Sequence, residues 1–284
     1  MTNLSKILRG TVASLGFAAA VASFAASASA QSLPPVPKAI KDAGVIKIGV
    51  KCDSPPFGSS GPDGKPLGIE VEMAKQIGTY ALGSPDKAEL SCVATDARIP
   101  SLTGGKIDLI IATLGKTPPR EQVIDYSDIY YWGSSRVIVP KDSAVQKLAD
   151  LDGKSMLIVK GGSQLKWLKD RIPGIQFVQL NTNADNIQAL QQGRGDGYVG
   201  DAITIATLAS NYPNLRVLNE EVDLGFNGVG IRKNEPELKA FVNAVLKKLK
   251  DEKYFSKTVP TFVTDPVVAK EMIKSFETNP PATN

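Results

Sequence analysis

Any chemistry in this chain must be done without histidine, since none of its 284 residues is one. That absence removes Ser-His-Asp and Cys-His catalysis, His-ligated zinc and a histidine pH switch together. The two cysteines, Cys52 and Cys92, do not form a CxxC and are too few for a thiolate metal cage. In an oxidising compartment they read as one disulfide or as two buried thiols. What remains is a set of carboxylates, cations and hydroxyls at the ends of apolar runs. Asp53 follows one such run, and Asp201 stands between another and a helical pattern, where it also reads as an N-cap. Gly161 and Gly162 let the backbone approach a ligand, and Ser163 opens a helix whose N-terminus can receive an anion, although such tripeptides also simply turn the chain. Arg120, in the Pro-rich stretch TLGKTPPR, reads on its own as a surface arginine.

The elements that must position these groups begin after an export signal. Residues 1–30 carry two cations (Lys6, Arg9), no acid, an apolar stretch over 11–26 and Ala28-Ser29-Ala30 before Gln31. This is the pattern of a secretory signal peptide, so 31–284 is expected as the mature, exported protein. No lipobox cysteine stands at the cleavage point, and no later apolar run approaches the roughly 20 residues needed to span a bilayer. Loss of Lys6 and Arg9 takes the formal charge from +4 to +2 (31 basic against 29 acidic residues). Neither nucleic acid nor an anionic membrane is expected as a partner of so balanced a chain.

From Ala43 onward, short β-rich runs alternate with amphipathic helical patterns, the signature of an α/β fold with mainly parallel sheets. Strands are expected over 45–51, 89–93 and 107–112, with helices over 69–80 and 99–103. A second series predicts strands over 136–140, 155–159, 177–180 and 198–201, with helices over 163–171, 185–192 and 202–211. A strand over 228–232 and a strongly amphipathic helix carrying Leu238, Phe241, Val242, Val245, Leu246 and Leu249 follow. Two such series call for more than one sheet, hence two lobes with chain crossings over 131–135 and 225–228 and a ligand cleft between them. The tail from Thr278 is polar and Pro-rich.

Four segments in order, GVIKIGVKCDSPPFG, GKPLGIEVEMAKQI, RIPSLTGGKIDLIIATLGKTPPREQVIDYSDIYY and GRGDGYVGDAITI, resemble the polar amino-acid-binding proteins of ATP-binding-cassette importers, solute-binding protein family 3. The resemblance covers nearly the whole mature chain. It implies the two-lobed periplasmic binding protein fold of type II, with lobe 1 formed by 31–131 plus 228–284 and lobe 2 by 132–227. It further implies a monomer in the periplasm, without cofactor or metal, that closes on one amino acid and presents it to an ABC permease. An α-amino acid needs an anion receptor and a buried anion, each with enough hydrogen bonds to offset desolvation. Arg120 matches the family arginine that forks the ligand carboxylate, with Thr113, Gly115 and Thr117 in the same loop. Asp201 matches the carboxylate that holds the ammonium, and Asp53 a further contact on the amine side.

For the ligand side chain, Arg98 resembles an arginine that meets the distal carboxylate in glutamate- and aspartate-binding members. Lys160 matches a lysine that touches a side-chain amide in a glutamine-binding relative. The pair favours an acidic or amide ligand, glutamate, aspartate or glutamine, although Arg98 pairing with Asp96 or Asp53 is an alternative. The aromatic usual after the strand-end Asp is missing from DSPPFG, and the matching wall falls at Thr95; Phe57, Trp132 and Phe226 are the substitutes. Two other functions fit the same scaffold: an exported enzyme resembling cyclohexadienyl dehydratases, which needs a cleft acid able to protonate a leaving hydroxyl, and a ligand sensor docking on a membrane receptor.

Overall fold

Runs of five apolar residues become sheet here, and the i, i+3, i+4 stripes become the helices that cover it. The computed structural model describes residues 32–282; the expected signal peptide lies outside them. The chain enters through α1 (Lys38–Ala43) and β1 (Ile46–Val50), then a three-stranded ribbon of β2 (Asp53–Ser54), β3 (Gly58–Ser60) and β4 (Pro66–Leu67). Next come α2 (Ile69–Leu82), β5 (Ala88–Cys92), α3 (Arg98–Thr103), β6 (Leu109–Ile111), α4 (Pro118–Val123) and the long β7 (Asp125–Pro140). Beyond it lie β8 (Ser155–Val159), α5 (Gln164–Arg171), β9 (Gln176–Leu180), α6 (Asn183–Gln191), β10 (Gly197–Asp201) and α7 (Ala202–Ala209). The chain then returns through β11 (Leu215–Val217) and β12 (Leu224–Ile231) to α8 (Pro236–Asp251), α9 (Tyr254–Thr258) and α10 (Pro266–Glu277). None of the described helices is long and apolar enough to cross a membrane.

Each series makes its own mainly parallel set of strands, as expected, and the two sets share one strand. They join in one nine-stranded sheet of order β5-β1-β6-β12-β7-β10-β8-β9, with β11 also on β7. The reason is the length of β7: Asp125–Ser134 pairs with β12, and Ser135–Ile138 pairs with β10. One strand therefore belongs to both halves. Pairing is parallel where helices supply the crossovers, β1 with β5 and β6, β8 with β9 and β10, and antiparallel around β7 and β12.

Each half has its own core. In the first, Ile46, Ile48 and Val50 meet Met73 and Ile77 of α2, Phe241 and Val245 of α8 and Phe276 of α10. The stripe foreseen on α8 is wholly buried, all six residues of it. Burial of each such side chain contributes roughly 1.5–3 kcal/mol. In the second half, Val137 and Val139 face one cluster while Ile138 faces another. Alternation on a strand covered on both faces gives this pattern.

Turns between β1 and α2 bring the ribbon under the site. Gly68, at φ +138°, has its α-carbon so close to the ribbon that a Cβ would stand 2.4 Å from the Phe57 carbonyl oxygen. Cys52 and Cys92 form a disulfide across the ends of β1 and β5, with α-carbons 5.6 Å apart and a sequence separation of 40. Closing a loop of that size restricts the unfolded chain, and the double variant Cys52→Ser/Cys92→Ser is expected to lose roughly 2–4 kcal/mol. Urea unfolding with and without reductant checks this: reductant should lower the midpoint of the native protein and leave that of the variant where it is.

Candidate functional site

A cavity of ≈ 90 Å³ opens where the two halves of the sheet face each other. It collects the carboxyl ends of strands and the loops that follow, where open α/β sheets place their ligand sites. From the first half come Lys51 and Ser54 beyond β1, Thr95 and Arg98 beyond β5, and Thr113, Gly115 and Arg120 beyond β6. From the second come Gly162 and Ser163 beyond β8, Asn183 beyond β9, Asp201 at the end of β10 and Thr204 beyond it. Gly133, Ser135, Asp223, Gly225 and Asn227, from the crossing strands and the residue before β12, form the floor.

Arg120 is aimed by carbonyls on both sides. Its Nη1 donates to Gly115 O at 2.7 Å and its Nη2 to Gly161 O at 2.8 Å, so one guanidinium joins the two halves. Gly161 can come this close only as glycine: its φ is +81°, and a Cβ would stand 2.9 Å from the Asp96 α-carbon. Around Gly115, a Cβ would lie 3.4 Å from Ser163 Oγ, 3.6 Å from Arg120 Nη1 and 3.7 Å from Asn227 Oδ1. These groups therefore converge on one spot, a guanidinium and a hydroxyl of the kind that can receive an anion.

Opposite it, Asp201 caps α7: its Oδ1 accepts from Ile203 N at 3.0 Å and Thr204 N at 3.2 Å. The N-cap reading of this residue holds, and the cap engages Oδ1 alone, leaving the second oxygen for another partner. Burial, and secondarily the charge of Asp223, push its carboxyl up to about 6, while the cap bonds pull the other way.

Behind the cavity lies a clamp that sequence reasoning missed. Glu70, at the start of α2 and fully buried, accepts the Thr113 N–H with both oxygens at 2.9 and 3.0 Å and the Tyr130 hydroxyl with Oε1. Arg98, 3 % exposed, donates Nη1 to Ala112 O at 2.7 Å and Thr113 O at 3.1 Å, and Nε to Thr95 O at 2.9 Å. One carboxylate and one guanidinium thus hold both sides of the Thr113 peptide. Thr113 has φ +47°, the left-handed region that a β-branched residue rarely enters.

Burial raises the Glu70 carboxyl to about 7, and it pulls Arg98 below the usual guanidinium range, helped by the charge of Arg120. Lys51 is likewise lowered by burial, against the attraction of Asp53, to which it is paired at 2.6 Å. Lys51 was unforeseen because it stands as one more residue of a buried strand, VIKIGVK; a cation continuing such a run is the signal that marks it.

Thus Arg98, Thr113, Gly115, Arg120, Ser163, Asp201 and the wall residue Thr95 all reach the cavity. Asp53 supports it through Lys51 and through Asn183, whose Nδ2 donates to Asp53 O at 2.7 Å and Ser54 Oγ at 3.0 Å while its Oδ1 accepts from Tyr198. Thr117 stands outside the lining, before the prolines of α4. Lys160 points away to Asp96, 3.0 Å distant at the exposed rim, a pairing that also holds Asp96 below the usual carboxylate range.

None of the three aromatics walls the cavity. Phe57 is fully buried in the core, 4.9 Å from the Tyr131 ring. Trp132 and Phe226 are paired across β7 and β12, with Lys274 of α10 over the indole. Both are half-buried and stand outside the lining of the cavity; their cross-strand pairing is a relation that one strand's sequence does not contain.

Residues 46–264 match the family "Bacterial extracellular solute-binding proteins, family 3". The ABC transporter glutamine-binding protein of Bacillus subtilis is 31 % identical over 227 residues, 79 % of this chain and 83 % of that protein. The ABC transporter arginine-binding protein 1 of Escherichia coli is 31 % identical over 189 residues, 66 % of this chain and 75 % of that one. Among solved structures, the cysteine-binding protein from Campylobacter jejuni superposes with a TM-score of 0.78 at 28 % identity, covering 82 % of this chain and 96 % of that one.

Proposed function

The chain belongs to family 3 of the bacterial extracellular solute-binding proteins, and we propose that in the periplasm it captures one amino acid by closure of two lobes and delivers it to an ABC permease. The observation that carries this reading is the convergence of Arg120 and Asp201, from opposite halves of the sheet, on one small cavity. A zwitterion supplies the carboxylate for the first and the ammonium for the second. The lobes are 31–131 with 228–284, and 132–227, hinged where β7 changes partner at Ser134 and Ser135. Closure draws on both lobes at Arg120 and at Asn183, so ligand contacts that bridge the halves favour the closed form.

For the ligand side chain, the reading is an acid or an amide: glutamate, aspartate or glutamine. Its support is a pair of buried cations on the wall, Lys51 and Arg98, beside the Asn183 amide. Lys51 is partly answered by Asp53, and Arg98 has Nη2 beyond the atoms its carbonyls occupy. A ligand oxygen placed there would share a charge that is costly to leave unpaired.

A thermal-shift screen of mature protein, unfolded and refolded to strip carried-over ligand, tests this against all L-amino acids, dicarboxylates and prephenate. A ligand at 100 times its dissociation constant adds about 2.7 kcal/mol. Stabilisation by glutamate, aspartate or glutamine is expected. Stabilisation by other amino acids alone would remove the side-chain assignment, and turnover of prephenate with no amino-acid response would replace the receptor by a dehydratase.

A further inference from the structure

A second cavity, of ≈ 480 Å³, backs onto the loop that carries Gly115 and shares none of the cleft's lining. Tyr126 lines it and donates its hydroxyl to Gly115 O at 3.0 Å; Lys116, the next residue of that loop, lines it too. Opposite them stands α8. Its Leu238, Phe241, Val242, Val245 and Leu249 are buried, while Lys239, Asn243, Lys247 and Lys250 recur at steps of four, four and three along another face and line the cavity. A space of this volume falls within the roughly 300–1,000 Å³ of small-molecule sites.

Donors outnumber acceptors around this space. Lys116 and Lys247, 43 % and 72 % exposed, pair with Glu121 at 3.1 Å and Asp251 at 2.6 Å, acids that stand outside the lining. Lys250 is half-buried, and its Nζ donates to a carbonyl, Ile129 O at 3.1 Å, in place of a carboxylate. Burial holds this ammonium below the usual lysine range, against the attraction of Asp128. Asn243 gives its Oδ1 to the Asp128 N–H at 2.9 Å, which leaves both N–H groups of its amide for another partner. Against four ammonium groups and this amide, the lining holds one carboxylate, Asp128. An ammonium partly stripped of water with no anion beside it is costly, and a bound anion offsets that cost. The complement of the cavity is therefore an anion with several acceptor oxygens.

We propose that this cavity is a second binding site, which takes an oxyanion of two or more charges, a phosphate or pyrophosphate group, on Lys239, Lys247 and Lys250 of α8, the Asn243 amide and Lys116. The proposal stands apart from the amino-acid reading of the cleft. A phosphate group presents three strong acceptor oxygens. Lysine meets it as a point charge on a flexible stem, so several ammonium groups around one space can share it without the planar pairing that a guanidinium gives. Free phosphate compounds and lipid headgroups both carry this chemistry.

The test is calorimetry and thermal melting with pyrophosphate, at an ionic strength held constant with sodium chloride. On the native protein, binding should saturate, and the melting temperature should rise by roughly 3–6 °C at about ten times the dissociation constant. Lys239→Gln/Lys250→Gln should weaken binding about 10-fold or more, the loss of bonds to a charged group. Lys239→Gln alone, which keeps the comparison if the double variant fails to fold, should weaken it about 3-fold or more. Lys41→Gln/Lys87→Gln, which removes two exposed cations outside the cavity, and Arg120→Ala should bind as the native protein does. Absence of saturable binding would overturn the proposal. So would equal weakening in the Lys41/Lys87 pair, which means general attraction between charges, or loss in Arg120→Ala, which means that the anion sits in the cleft. Co-sedimentation with phosphatidylglycerol vesicles, lost in the double variant, would support the site with a lipid headgroup as its source; pyrophosphate binding without co-sedimentation would support it with a free solute.

Discussion

Arg120→Ala is expected to raise the dissociation constant for every L-α-amino acid by roughly 30- to 3,000-fold, the span that follows from truncating one member of a buried charge pair. The loss should not depend on the ligand's side chain, because the proposed partner of the guanidinium is the carboxylate that all α-amino acids share. Its two carbonyl bonds, to Gly115 and Gly161, fix the fork before ligand arrives. Arg120→Lys keeps the charge but not the planar pair of donors, and should recover little. The side chain is only half-buried, and its anchors lie in loops, so the ligand-free melting temperature should fall little. Calorimetry across several amino acids, with melts of the empty variants, separates lost contact from lost fold.

Asp201→Asn should cost a similar factor, and pH gives a second readout. An ammonium favours ionised Asp201, whereas burial lifts the free carboxyl to about 6. Affinity should therefore weaken as pH falls through 6, approaching tenfold per unit below it, with proton release on binding. An affinity flat between pH 5 and 7 in the native protein would remove Asp201 from the ammonium site.

What could be read in advance followed from how local each signal is. The five-residue runs of β1 and β8, and the stripe on α8, are set by burial of their own side chains, and they appear within a residue or two of the expected bounds. The front of β7 was not visible: DYSDIYY alternates poorly, and it is a strand because β12 pairs along it. That missing half is also why the strand shared by the two halves was not foreseen.

At the cavity, motif position pointed to Arg120 and Asp201, and both line it. It did not find Asn183, Asp223 or Thr204, whose place depends on strands far apart in sequence. Glu70 was hidden differently. An acid in the first turn of a helix normally faces water and the helix dipole, and only the tertiary partners Thr113 and Tyr130 reveal that this one is interior.

That interior pair makes Arg98→Met the most destabilising single change expected here, by about 3–5 kcal/mol. It would take donors from Thr95 O, Ala112 O and Thr113 O and leave Glu70 without its nearby positive charge. Holding Thr113 at positive φ costs of order 1–3 kcal/mol, so the released loop should relax and weaken every ligand, acids and amides most.

The carboxyl itself gives a signature in pH. Folding raises Glu70 from its usual 4.5 to about 7, so between those values the folded state binds more protons than the unfolded one. Its contribution to stability is then full below pH 4.5 and declines as pH rises to 7, by about 3 kcal/mol at 1.36 kcal/mol per unit. This is opposite in sign to an ion-paired surface carboxylate. Asp201, also raised, adds a decline of the same sign at lower pH, so Glu70→Gln should flatten the profile only in part. In Arg98→Met, loss of the neighbouring cation should carry the decline to higher pH. Urea midpoints at pH 5, 6, 7 and 8 for the native protein and both variants decide it; parallel profiles for the native protein and Glu70→Gln would mean that Glu70 stays ionised throughout and that the clamp on Thr113 is a permanent ion pair.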